Sequence, residues 1–215
     1  MTSGAGDAGV PSGFFARGDE ADDAEFYSFP RYVTHIDDGA IGAVGALYEE
    51  LGVRGAVLDL MSSWVSHFRE PPADLTVVGM NPDELAANPQ ARSWIVHDLN
   101  ADPALPFDDD AFDHAVCCVS VDYLTRPVDV FREVARVVRP RGLFVCTFSN
   151  RLFATKAIHG WLYSDSATHQ QIVADYFAAA AGFEPAVRRQ CVTPAGGDPL
   201  YAVWARVASR SGHPS

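Results

Sequence analysis

The sequence lacks the features of an exported or membrane-bound protein. Among its 215 residues, no apolar run approaches the roughly 20 residues that a helix needs to cross a bilayer. The segment from Met1 to Pro11 has neither a basic start nor an apolar core, so it does not resemble a secretory signal. We therefore expect a cytoplasmic protein that does not enter the membrane.

Cysteine is scarce, and its placement argues against metal binding. The four cysteines form no C-x-x-C pair and no ligand-like cluster with histidine. Three of them, Cys117, Cys118 and Cys146, lie in apolar strand-like runs, where free thiols pack as small hydrophobic side chains. The sequence predicts reduced thiols and no metal site.

Positively charged residues are also few. The chain has 16 Lys and Arg against 28 Asp and Glu, which gives a net charge of -12. Because such a field repels phosphate, nucleic acid and anionic membrane surfaces are disfavoured as partners. A hydrophobic content of 48% is enough for one packed core, and no linker interrupts the middle of the chain.

Short apolar runs that end in polar residues are the main structural signal. They cover residues 56–67, which include the turn after the first run, 76–81, 94–98, 115–120 and 143–148. Runs of this kind build a parallel sheet whose ligands lie at the carboxyl edge of the strands. The sequence therefore predicts a parallel sheet with one ligand crevice.

The carboxyl-terminal part of the chain adds a pair of strands. Residues 186–193 and 200–207 are strand-like, and the short link between them favours an antiparallel pair. Periodicity, Pro and Gly signals predict helices over four segments, at residues 39–51, 82–88, 126–138 and 166–181. The expected fold is α/β, with a doubly wound, mostly parallel seven-stranded sheet that ends in an antiparallel strand pair.

Composition changes mark the expected domain limits. Residues 1–25 are rich in Gly, Ala, Asp and Ser and carry few large apolar groups, so they cannot bury enough surface to offset ordering entropy. We predict a flexible tail over 1–25, one domain over 26–208 and a short tail over 209–215.

Two motifs carry a resemblance to a known family. The first is Leu105-Pro106-Phe107, followed by Ala111-Phe112-Asp113, and the second is the helix end over 131–142, FREVARVVRPRG. Together they resemble the class I S-adenosylmethionine-dependent methyltransferases, in particular the small single-domain type 11-like group. The resemblance implies a Rossmann-like methyltransferase fold and S-adenosylmethionine as cofactor.

The resemblance also implies roles for individual residues. Asp59 matches the acidic residue that closes the first strand, Asp98 the one that holds the adenine amino group, and Leu99 its neighbour that covers the base. The branch is divergent, because Asp-Leu-Met-Ser-Ser-Trp stands in place of the glycine-rich motif and Asn81 in place of the acid that grips the ribose. The implied cofactor-binding set is Asp59, Met61, Ser62, Ser63, Asn81, Asp98, Leu99, Asn100 and Val119.

Residues outside the cofactor set are candidates for chemistry on the acceptor. His35 or Tyr32, in an aromatic segment that forms a lid in the family, is a candidate base, and a capping or core role is the alternative. Asp122 and Tyr123 follow the fourth strand at the same edge. The candidates for substrate contact, with surface ion pairing as the alternative, are Asn150, Arg151 and Lys156.

The functional hypothesis is methyl transfer from S-adenosylmethionine to a small-molecule acceptor, by a monomer or homodimer. Two alternatives remain: an inactive binding or partner subunit, suggested by the missing glycines, and a use of the sulfonium other than methylation. A dinucleotide dehydrogenase is disfavoured because the glycine triplet of its fingerprint is absent.

Overall fold

The computed structural model describes residues 11–209, and its centre is a seven-stranded sheet. The strands are β1 (Ala56–Leu60), β2 (Asp74–Gly79), β3 (Ser93–Val96), β4 (Phe112–Cys118), β5 (Val138–Phe148), β6 (Val187–Cys191) and β7 (Leu200–Arg206). Their order is β3-β2-β1-β4-β5-β7-β6. Strands β1 to β5 pair in parallel, and β7 runs antiparallel to both of its neighbours. The predicted fold class, with its terminal antiparallel pair, is confirmed.

Six α-helices and one 3₁₀-helix accompany the sheet in the described part of the chain. The α-helices are α1 (Asp23–Phe26), α2 (Asp38–Leu51), α3 (Pro82–Ala86), α4 (Pro127–Val137), α5 (His159–Leu162) and α6 (Ser166–Ala180), and the 3₁₀-helix is Val121–Tyr123. Local chemistry sets several of their ends. Asp37 caps α2 by accepting from the Ala40 N–H, Gly52 ends it in the left-handed conformation, and Pro127 opens α4. None of these helices is long and apolar enough to span a membrane.

Each face of the sheet carries its own apolar core. On one face, α4, α5 and α6 bury side chains such as Phe131, Trp161 and Phe177. On the other, α2 packs Val44, Leu47 and Tyr48 against the sheet. The two cores fix the sheet rigidly, so the residues at its carboxyl edge have defined positions.

The crossover from β1 to β2 departs from the usual strand-helix-strand pattern. Residues 61–73 contain no helix, and the chain instead follows an irregular path from one strand to the next. Phe68 from this segment is buried beside Tyr48, with ring centroids 4.8 Å apart. An aromatic contact thus occupies part of the position that a crossover helix covers in other βαβ units.

The amino-terminal segment differs from the sequence prediction. Residues 11–25, predicted to be part of a flexible tail, pack on the domain: Arg17 forms a β-bridge with Ile158, and Asp23 is buried. The reason is an ionic contact that composition does not reveal, since Asp23 pairs with both Arg17 and Lys156. We call residues 11–37 the N-terminal cover. The other parts of the predicted tails, at 1–10 and 210–215, lie outside the described residues.

Candidate functional site

A cavity of about 350 Å³ opens at the carboxyl edge of the sheet. It lies where the strand order reverses, between β1 and β4, which is where open α/β sheets bind their ligands. Its size is within the range of small-molecule sites. All nine residues of the predicted cofactor set line it, namely Asp59, Met61, Ser62, Ser63, Asn81, Asp98, Leu99, Asn100 and Val119.

Asp59 is a buried carboxylate held by two hydroxyl groups. Its Oδ2 accepts hydrogen bonds from Ser62 Oγ at 2.8 Å and from Ser66 Oγ at 2.6 Å. Burial raises the pKa of Asp59 to about 6, although the hydrogen bonds from Ser66 and Ser62 act in the opposite direction. At neutral pH the group is therefore mainly ionised and able to face a cation.

Two residues at the cavity adopt backbone conformations that normally favour glycine. Met61 follows β1 with a φ of 53°, and Val119 follows β4 with a φ of 49°. The left-handed region costs an L-residue roughly 1–2 kcal/mol, and more for a β-branched side chain such as Val119. Such strain concentrates at functional sites, and here it flanks the point where the strand order reverses.

The turn after β1 lies tightly against the end of β2. A Cβ atom added to Gly79 would collide with the carbonyl oxygen of Ser62, so only glycine allows this approach. The turn is also fixed by Ser62 N–H, which donates to the Val78 carbonyl oxygen at 2.8 Å. The glycine that permits close packing therefore belongs to β2 rather than to the turn itself.

Asn81 uses its whole side-chain amide within the protein. Its Oδ1 caps α3 by accepting from the Asp83 and Glu84 N–H groups at 3.0 and 3.1 Å. Its Nδ2 donates to the carbonyl oxygens of Tyr27 and Ser28 at 2.9 and 3.3 Å, which ties the N-terminal cover to the sheet edge. Asn81 thus lines the cavity while its amide stabilises the wall.

The loop after β3 presents one carboxylate oxygen to the cavity region. Asp98 Oδ1 accepts from the N–H groups of Asn100 and Ala101, and within residues 11–209 its Oδ2 has no hydrogen-bond partner. Asn100, by contrast, is fully used: it donates to Asp23 Oδ2 and the Tyr123 carbonyl oxygen and accepts from Thr125. Leu99, between them, is buried.

The N-terminal cover and the segment after β5 wall the other side of the cavity. His35 stacks edge-on against Phe153, with ring centroids 5.2 Å apart, and Arg31 lies over the same ring. Burial lowers the pKa of His35, so its ring is neutral at pH 7 and able to accept a proton. Tyr123 Oη accepts from the Phe153 N–H at 2.8 Å, and Arg151 pairs with Asp198 at 2.9 Å.

Four of the predicted acceptor-side residues do not line the cavity. Tyr32 is half exposed and contacts Trp64, and Asn150 is exposed. Asp122 is buried in the 3₁₀-helix, and Lys156 is fully buried, where it binds carboxylates of the cover rather than a substrate. For these two, the side chain is enclosed in protein.

The sequence analysis did not identify several residues that line the cavity. Glu84, Phe153, Asp23 and Tyr27 are among them. Glu84 carried a detectable signal, because it lies in the first turn of the helix that follows β2 at the predicted ligand edge. The positions of Asp23 and Tyr27 depend on contacts far along the chain, which no local pattern encodes.

Metal and thiol chemistry have no visible basis at this site. Within residues 11–209 there is no group of three His, Cys, Asp or Glu side chains that could hold a metal ion. Burial raises the pKa of the Cys118 thiol to about 12, so this cavity cysteine stays protonated at neutral pH.

Comparisons with known proteins agree with this geometry. Residues 55–146 match a family described as a methyltransferase domain. A search of the curated proteins found no match to the chain. The matched residues run from the start of β1 to Cys146 in β5, and so include the strand ends that line the cavity.

Three solved structures show the same fold at low identity. The Burkholderia thailandensis 1,6-didemethyltoxoflavin-N1-methyltransferase, solved with 1,6-didemethyltoxoflavin and S-adenosylhomocysteine bound, is 21% identical, with 80% of each chain covered and a TM-score of 0.58. A Haloferax volcanii protein solved in complex with the Trm112 methyltransferase activator is 17% identical, with 82% of this chain and 92% of that chain covered and a TM-score of 0.57. A SAM-dependent methyltransferase from Aquifex aeolicus is 13% identical, with 86% and 97% covered and a TM-score of 0.55. Residues 55–146 thus match a methyltransferase domain, and the chain shares the fold of these methyltransferase structures.

Proposed function

We propose that this protein transfers a methyl group from S-adenosylmethionine to a small-molecule acceptor. The observation that carries the proposal is that two chemically different groups of side chains line one cavity. Carboxylates and an apolar floor lie at the strand edge, whereas aromatic and basic side chains of the cover and of the segment after β5 lie opposite. A cavity of about 350 Å³ with a cover over it suits a small acceptor better than a macromolecular one.

The residues at the strand edge fit the cofactor in charge and shape. Asp59 carries negative charge near neutral pH and suits the ammonium group of the methionyl part. Asp98 Oδ2 is available to accept from the adenine amino group, and Leu99 supplies apolar surface for the base. When bound, S-adenosylmethionine supplies an electrophilic methyl group for in-line displacement.

The chain's own contribution to rate is chiefly alignment. The rigid sheet edge and the cover hold the two ends of the cavity at a fixed separation, and positioning of this kind is worth roughly 7–11 kcal/mol in favourable cases. His35 is neutral at pH 7 and lines the cavity, so it is the candidate base for an acceptor that arrives protonated. Arg151 and Tyr123 are the candidates for direct acceptor contact.

Transfer of a labelled methyl group tests the proposal. The purified full chain is incubated with S-adenosylmethionine labelled on its methyl group and a cell extract, and the products are separated into small molecules, protein and nucleic acid. We expect label in the small-molecule fraction, and loss of that label in Asp98→Ala. Label confined to protein or nucleic acid would contradict a small-molecule acceptor.

A second candidate function is a binding or partner subunit without transfer activity. It is favoured by one observation, the complete use of the Asn81 and Asn100 amides inside the protein, at positions where the resemblance implied cofactor contacts. This candidate predicts weak or absent cofactor binding and no label transfer to any fraction. The same experiment, run together with a binding measurement, therefore separates the two candidates.

A further inference from the structure

The Asn81 amide has no polar group free to bind a ligand, and Glu84 lies near it on the cavity wall. Asn81 and Glu84 both line the cavity, and Glu84 follows Asn81 by three residues on α3. Asn81 is the N-cap of α3 and Glu84 is its third residue, so both belong to the first turn of this helix. The amide of Asn81 caps α3 and holds the cover, and Glu84 is the carboxylate of that turn that lines the cavity.

The carboxylate of Glu84 is turned away from its usual role at a helix start. In a capping box, the acidic side chain at the third helical position bonds back to the N–H of the capping residue. Here Glu84 Oε1 accepts from the Arg31 N–H at 2.6 Å and Oε2 from Ser63 Oγ at 2.5 Å. The carboxylate thus bridges the cover and the turn after β1, at the boundary of the cavity.

The bridge leaves acceptor capacity unused. An ionised carboxylate has about four lone-pair positions, and these two hydrogen bonds take about half of them. Glu84 is 9% exposed, so a further partner must come from within the cavity rather than from bulk solvent. Two neighbouring hydroxyl groups can donate one hydrogen bond each to the oxygens of a carboxylate.

We propose that Glu84, rather than Asn81, binds the ribose hydroxyl groups of the cofactor. This assignment rests on the proposed function, because it requires S-adenosylmethionine to occupy the cavity. It also explains how the chain can carry an amide, Asn81, after β2, where the resemblance implies an acid. The acid that grips the ribose lies one helical turn further along, and the Asn81 position serves to cap α3 and fasten the cover.

The test compares two ligands that differ only in the ribose. Calorimetric titration of the full chain with S-adenosylhomocysteine, and with its analogue lacking both ribose hydroxyls, gives a ratio of the two affinities. We expect a ratio of at least about tenfold in the unaltered protein, since hydrogen bonds to a charged group are each worth about 1.5–3 kcal/mol. In Glu84→Gln the ratio falls to about threefold or less.

Three further variants make the comparison specific. Asp83→Asn removes the same charge from an exposed position on α3 and keeps the ratio. Asn81→Ser keeps a residue that caps helices well and also keeps the ratio. Glu84→Asp retains the charge but withdraws it by one methylene, so it lowers the ratio even where Glu84→Gln does not fold.

The outcomes distinguish this assignment from the proposed function. A purely structural role for Glu84 would weaken both ligands equally and leave the ratio unchanged in both Glu84 variants, which overturns the assignment. A ratio near one in the unaltered protein, or a ratio that collapses in Asn81→Ser alone, overturns it as well. Failure of the unaltered protein to bind either ligand overturns the proposed function itself.

Discussion

Lys156 Nζ lies 3.0 Å from Asp23 Oδ1, and neither side chain is appreciably exposed to solvent. Lys156 is the only lysine in the sequence, and it also pairs with Asp19 at 3.2 Å and donates to the Ala21 carbonyl oxygen at 2.8 Å. Asp23 in turn accepts from Asn100 Nδ2, beside the cavity. One buried cation therefore connects the segment after β5 with the N-terminal cover and the loop after β3.

Removing this cation is expected to loosen the cover. Lys156→Met keeps the length of the side chain but leaves the buried carboxylate of Asp23 with less compensation, at a cost of about 3 kcal/mol in the free energy of unfolding. Denaturant unfolding measures the loss, and limited proteolysis within residues 11–37 measures the loosening. Asp19→Asn, at a partly exposed position, is the control and changes both measurements little. If Lys156→Met resisted proteolysis as well as the unaltered protein does, Lys156 would not be what holds the N-terminal cover in place.

The burial of Asp59 makes stability depend on pH. Because burial raises the pKa of Asp59 from 3.8 to about 6, the folded state prefers the protonated form. The resulting stabilisation is fully present below about pH 4 and is lost as the pH rises through about 6, for a total of about 3 kcal/mol. Denaturant unfolding from about pH 4 to 8 should show this fall in the unaltered protein and a smaller one in Asp59→Asn. Identical pH profiles for the two proteins would contradict the burial of the charge.

Asp122 should also make the stability of the protein depend on pH, over a wider pH range. Among residues 11–209 its buried Oδ2 has no hydrogen-bond partner, and burial raises the pKa of Asp122 to about 8. The protonated form is therefore favoured in the folded state, and stabilisation is lost as the pH rises from about 4 through about 8. Asp122→Asn is expected to gain in relative stability across that range, as measured by thermal unfolding. Because Asp122 does not line the cavity, ligand binding by Asp122→Asn should be unchanged. A large loss of binding would show that Asp122 belongs to the ligand site.

The left-handed conformation of Met61 can be tested by a matched pair of substitutions. Met61 and Met80 are both half-buried and both line the cavity, but only Met61 has a positive φ. Glycine relieves the strain at Met61 and gives no such relief at Met80. Met61→Gly should therefore cost about 1–2 kcal/mol less in the free energy of unfolding than Met80→Gly. Equal costs would show that the backbone at Met61 is not strained.

The sheet and most helices could be predicted because their signals are local. The helix at α2 follows from apolar spacing and its caps, and the antiparallel pair of β6 and β7 follows from a short link between two strand-like runs. The N-terminal cover could not be predicted in this way. Its order depends on Lys156, more than 100 residues away, and no periodicity in residues 11–25 indicates that contact.

The candidate site shows the same difference between local signals and contacts with distant segments. Residues at or just after strand ends, such as Asp59 and Asp98, lie at the cavity because parallel strands deliver their carboxyl ends to one edge. What each side chain does there depends on partners from distant segments. Asn81 lies at the cavity as expected, yet its amide nitrogen donates to the carbonyl oxygens of Tyr27 and Ser28. Lys156 follows β5 as expected, but its side chain is fully buried rather than open to a substrate.

The most direct test of the account is calorimetric titration of the full chain with S-adenosylmethionine. Asp98→Ala removes the carboxylate that we propose binds the adenine amino group, and Asp108→Ala, at an exposed loop position, is the matched control. We predict saturable binding by the unaltered protein and by Asp108→Ala, weakened at least about tenfold in Asp98→Ala. Absence of binding in protein shown to be folded, or equal affinity in all three proteins, would contradict a cofactor site at this edge of the sheet.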